Sequence, residues 1–209
     1  MLRGLLMGVL AGWVLVVVAG LVVVWAGVPN VAAGWRDPLP LRWLLHTAYE
    51  RSVARRAGDV VVPPAVDDPG QALAGARAFD EMCAVCHTPP GREPTVQSAG
   101  LNPPPPELGE LAGRRTPAQV YWVIENGVRM TAMPAFGPSH SDAQLWQLVA
   151  FLQVARDLDG PGYDAMLARA RRGPPGDGHA HRHGPGAEAA DSQDSSGGQD
   201  HDEGSGHAH

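Results

Sequence analysis

The chain has 209 residues, room for one domain of ordinary size with additions or for two small ones, which excludes a large multidomain enzyme. Its 26 glycines and 20 prolines assign much of it to loops, connectors or tail, and its two cysteines, Cys83 and Cys86, exclude a disulfide framework and a four-cysteine zinc site. The net charge of −6 is unevenly placed: residues 173–209 hold seven acids against Arg182 alone, which leaves 15 acids and 15 arginines in residues 1–172 and excludes an evenly basic nucleic-acid binder.

From Gly4 to Val28 no residue is charged, and a helix of that length reaches about 37 Å, enough to cross a hydrocarbon core with some tilt. Residues 1–28 are expected to form a transmembrane anchor with Trp13 inside and Trp25 near one interface. A cleaved secretory signal competes, because Arg3 gives a positive start and Val24-Trp25-Ala26 ends in a small residue; the apolar run is long for such a signal. Arg3 and the terminal amine on one side balance Arg36 and Arg42 on the other, so charge leaves the orientation undecided.

Residues 29–66 form a juxtamembrane segment. After the turn formers Pro29, Asn30, Gly34, Pro38 and Pro40, apolar residues at 41, 44, 45, 48 and 49 predict a short amphipathic helix on the membrane surface or against the next domain. His46 is read as a packed or interfacial side chain, since no partner stands at metal-ligand spacing. Val60 to Pro69, with three prolines, reads as a stiff extended connector.

Residues 67–160 carry orderly helix punctuation. Asp68 and Pro69 open a helix running toward Met82; Thr116-Pro117-Ala118-Gln119 opens a second, stopped at Gly127; Ser141-Asp142-Ala143-Gln144 opens a third, whose core face is Leu145, Leu148, Val149 and Leu152. No alternating strand pattern competes, so the fold is expected to be all-α. Residues 161–209 read as a linker and a His/Asp/Gly-rich tail too poor in apolar residues to offset the entropy of ordering.

The chemistry centres on Cys83-Ala84-Val85-Cys86-His87. Two thiols three positions apart, followed at once by histidine, match covalent haem attachment: the thiols can reach two vinyl groups on one porphyrin edge while the imidazole is delivered beneath the iron. Cys-x-x-Cys alone would equally suit a dithiol redox site or half a zinc site, and the added histidine favours haem. For the sixth iron position Met82 lies too close to Cys83, Met1 and Met7 lie in the apolar segment, and Met166 lies beyond the last expected helix. Met130 and Met133 remain; Met133, stiffened by Pro134 between two helices, is the better candidate and His140 its rival.

Residues 67–160 resemble a class I c-type cytochrome, the mono-haem fold with three main helices around one covalent haem. Gly75 and Phe79, eight and four residues before Cys83, stand where that family places the small and aromatic residues of its first helix, and Leu148 and Phe151 match the last-helix positions crossing them. The resemblance implies one haem c, joined to Cys83 and Cys86, with His87 proximal and Met133 distal. It also implies that a proline carbonyl near the proximal histidine fixes its ring, but the run Pro103 to Pro106 leaves open which one. It places haem attachment on the outer face of a bacterial cytoplasmic membrane, so residues 29–209 are expected in the periplasm.

The expected role is single-electron transfer between redox partner proteins, as a non-enzymatic carrier or a subunit of a redox enzyme complex in a respiratory chain. Two other classes stay open: a haem sensor or small-ligand binder with Met133 displaced, and a metal-handling protein using the tail. His179, His181 and His183 could present imidazoles to one divalent ion there.

Overall fold

The structure, a computed structural model, describes residues 2–108 and 113–173. Among these every regular element is helical, as the patterning requires. Helix α1, Leu2–Trp25, is long and apolar enough to cross a membrane, and none of its side chains is buried against the rest of the protein.

Helix α2, Leu39–Arg56, starts with Pro40 in its first turn. Only its second half docks: Val53 is fully buried, and so is Ala57 in the 3-10 turn Ala57–Asp59 that follows. Arg115 secures the dock, pairing with Glu50 at 2.5 Å while its guanidinium lies 4.9 Å above the Tyr49 ring. His46 stays largely exposed, 3.9 Å from Glu50. The expected connector is extended over residues 60–63 but then folds into a second 3-10 turn, Pro64–Asp67, because Val66 finds a buried position against the core.

Helix α3, Pro69–Ala78, is capped by Asp68, whose carboxylate accepts from Gly70 N–H at 2.7 Å. It runs on into a π-helical turn, Phe79–Cys83, closed by Ala84 N–H donating to Phe79 O at 3.0 Å. A short helix α4, Val96–Ala99, follows in the long loop after the cysteines. Helices α5, Pro117–Asn126, and α6, Asp142–Ala155, both start with the reciprocal capping boxes their sequences predict, Thr116 with Gln119 and Ser141 with Gln144. They meet where Tyr121 stacks on Trp146 at 4.4 Å and donates its hydroxyl to Asp142.

The crossing of α3 over α6 sets the core. A β-carbon at Gly75 would lie 1.9 Å from the backbone oxygen of Gln147, so only glycine permits this approach. Phe79 and Phe151 fill the angle beside it, ring centroids 5.1 Å apart, with Leu145, Leu148 and Val149 buried around them. At roughly 1.5–3 kcal/mol for each large side chain taken from water, this crossing is the main apolar term of the domain.

Residues 160–172, expected within the linker, form helix α7, Gly160–Arg172, capped by Asp159. It is held because Tyr163, Leu167 and Ala170 lie on one buried face. The Tyr163 hydroxyl donates to Asp80 at 3.1 Å, and Arg171 reaches the other Asp80 oxygen at 2.8 Å. Burial, reinforced by the Asp80 charge, raises the phenol's pKa and keeps it a donor.

Candidate functional site

The π turn ends at Cys83, and the next residues fold back on it. Cys83 O accepts from both Cys86 N–H (3.0 Å) and His87 N–H (2.8 Å), so the three side chains of the motif leave one tight turn. Both thiols are free and half-buried. Burial, with the neighbouring Cys86 adding to it, pushes the Cys83 thiol up to about 12, the reverse of what a nucleophilic dithiol or zinc-binding thiolate needs. Among the described residues no group of three or more His, Cys, Asp or Glu side chains converges as a metal-ion site.

His87 is half-buried with Nδ1 3.4 Å from the carbonyl oxygen of Pro106. A carbonyl only accepts, so Nδ1 carries the proton and Nε2 keeps its lone pair for a metal. Burial lowers the imidazole pKa against the opposing pull of the Pro106 bond, which favours the neutral, ligating form. Pro106 is thus the residue in the proline run that meets the histidine; four consecutive prolines gave no local signal to choose it.

The loop between His87 and Pro106 is held from several directions. Thr95 donates its hydroxyl to Val85 O at 2.6 Å and caps α4 through Ser98 N–H. Arg92 pairs with Asp164 of α7 at 2.5 Å, and Asn102 donates to Trp35 O at 2.8 Å, a tie to the segment before α2.

On the other side, the two candidate methionines part company. Met130 is 91% exposed at a left-handed backbone position, φ +61, whereas Met133 is drawn inward to pack against the core. Thr131 organises the bend: its hydroxyl donates to Val128 O at 2.8 Å and accepts from Met133 N–H at 3.1 Å, while Val128 N–H donates to Met133 O at 3.1 Å. Gly127 takes φ +64, and a β-carbon there would lie 2.6 Å from the backbone of Pro134 and Ala135. Beyond the methionine, Phe136 N–H and Gly137 N–H donate to the last carbonyls of α5, at Ile124 and Glu125. The Thr-x-Met spacing was a readable sign of this Thr131 bridge.

His140 is engaged elsewhere. Its Nδ1 lies 2.9 Å from Ser139 Oγ and 3.3 Å from Phe136 O, its Nε2 lies 3.2 Å from Met82 Sδ, and its ring meets Phe136 edge-on. The tail histidines His179, His181 and His183 lie outside the described residues.

Met82, Cys83, Ala84, Met133, Phe136 and Trp146 all pack on the core cluster while remaining partly exposed, so the cysteine turn and the methionine loop both rest on the same core. This arrangement of α3, α6 and the two loops is that of a class I c-type cytochrome domain, a module that carries haem and transfers electrons. Residues 70–152 match the family described as cytochrome c oxidase, cbb3-type, subunit III. No curated protein is similar enough to the chain to match it. The side chains fit the group that family carries: two free thiols, an imidazole with Nε2 available, a thioether on an ordered loop, and apolar side chains packed on the same core.

Proposed function

We propose that this protein is a membrane-anchored, periplasmic c-type cytochrome that passes single electrons through one covalent haem, with α1 retained as its anchor. The observation that carries the reading is the Cys83–His87 turn, its imidazole oriented by Pro106, in one domain with a methionine loop whose backbone bonds hold Met133 against the same core. Cys83 and Cys86 would supply the thioether attachments, His87 Nε2 the proximal ligand and Met133 Sδ the distal one. A haem bound there supplies reversible one-electron chemistry at iron.

The chain's own part would be to hold and orient the group through His87 and Met133. His87 is fixed by Pro106, and Met133 is fixed by Thr131 and by the close approach at Gly127. Filling both positions suits outer-sphere electron exchange rather than the binding of small molecules, and a methionine raises the reduction potential relative to two histidines. The family's description as an oxidase subunit supports a place beside other redox proteins in a respiratory membrane.

Two measurements test this. The Cys83→Ser/Cys86→Ser variant should lose the haem stain that survives denaturing electrophoresis in the wild type. The oxidised wild type should show the far-red sulfur-to-iron charge-transfer band, and Met133→Ala should abolish it. A wild type without the band would support the sensor reading, and a band that persists in Met133→Ala would transfer the ligand role to another residue.

A further inference from the structure

Helix α2 shows two unlike faces. Tyr49, Glu50 and Val53, continued by Ala57, turn toward the cytochrome domain and are clasped there by Arg115. At about 100° per residue, Leu41, Leu44, Leu45 and Ala48 share the opposite face, and Arg51 and Arg55 continue it toward the C-terminus. All six are exposed, Leu44 and Leu45 at 56% and 54%. The only acid in the helix, Glu50, is on the docked face and paired with Arg115.

Residues 26–38 join α1 to α2, a reach of at most about 45 Å fully extended. It is shorter in the fold, because Ala32 N–H donates to the Asn30 side chain, Trp35 N–H donates to Ala32 O, and Trp35 O is held by Asn102. The outward face therefore stays close to the end of α1. Its order, leucines first and arginines after, suits a helix that sinks its start among acyl chains and keeps its end among phosphates. A second copy of the chain fits less well, since a two-fold contact on this face would bury arginines with no acid to meet them.

We infer that the outward face of α2 is a binding surface for anionic phospholipid in the same bilayer that takes α1, with Leu41, Leu44 and Leu45 at the headgroup boundary and Arg51 and Arg55 on phosphates. This rests on the reading of α1 as a retained span. The cytochrome domain is then clamped against the membrane through α2 instead of swinging on a tether, which fixes the direction in which its haem site faces partners.

The test uses the full-length haem-loaded protein in vesicles of phosphatidylcholine and phosphatidylglycerol. The photoreactive residue p-benzoylphenylalanine replaces Leu44, Val17 of α1, or the exposed Val96 of α4, with the haem absorption spectrum checking that each variant is folded. Phospholipid adducts at positions 17 and 44, with at least a five-fold lower yield at 96, are expected. Adducts at 17 but none at 44, or adducts at 44 to a second copy of the chain, overturn the inference while leaving the span standing. No lipid adduct at either position overturns both. In pure phosphatidylcholine the yield at 44 should fall at least two-fold, and an equal yield overturns the role given to Arg51 and Arg55.

Discussion

The two loops that carry the candidate site residues are held in opposite ways. Gly127 to Phe136 is short and self-tied: Thr131, the Val128–Met133 backbone bond and the bonds to the last carbonyls of α5 all lie within a dozen residues. His87 to Pro106 is long, and its ties reach far along the chain, through Arg92 to Asp164 in α7 and through Asn102 to Trp35 before α2. Both of those anchors lie outside the stretch that matches the family, residues 70–152. The methionine loop belongs to the module itself, while the histidine loop depends on what this chain adds at either end.

The largest effect that separates the two comes from Tyr163→Ala. Removing a fully buried ring from the α7 interface should cost about 4 kcal/mol and free Asp80 from its hydroxyl partner. Amide exchange across residues 88–95 should accelerate along with α7, while the far-red band proposed for Met133 persists. If the methionine loop loosens equally, the two are not independently held.

The converse break is Gly127→Ala. The backbone there, φ 64 and ψ −171, is open essentially to glycine alone, and the added methyl would meet Pro134 and Ala135. Strain and crowding together should cost about 3 kcal/mol and weaken or remove the far-red band, with exchange at 88–95 unchanged. Arg92→Gln gives the smallest effect. Both partners of the Arg92–Asp164 pair are more than half exposed, so the global loss should be about 0.5 kcal/mol, seen mainly as faster local exchange in the histidine loop. An equal loss throughout the domain would show that this pair does more than fasten the loop.

The same division decided what could be read from the sequence. Local chemistry was legible: Asp68 before Pro69, the two capping boxes, the stop at Gly127, the Cys-x-x-Cys-His motif and the Gly75/Phe79 crossing all stand where their residue types predict. The preference for Met133 over Met130 agrees with their burial. Helix α7 lies where the sequence reads as a linker; in the fold Asp159 is its cap and Pro161 lies in its first turn. Tyr163, Leu167 and Ala170 have helical spacing, but what earns them burial is a surface on α3 distant in sequence. Pro106 and the Asn102–Trp35 bond are likewise products of tertiary placement, which no local pattern encodes.

The π turn at Phe79–Cys83 has a consequence for handedness. Helix α5 leaves its axis by placing Gly127 at positive φ, a reversal that strongly favours glycine. The first helix of the domain leaves by enlarging its hydrogen-bonded ring, from Ala84 N–H to Phe79 O, and Ala84 itself stays right-handed at φ −62. From Phe79 through His87 no residue takes a positive φ. Five consecutive positions can therefore carry side chains without backbone strain, and the chain spends none of the Cys-x-x-Cys-His motif on making its own exit from the helix.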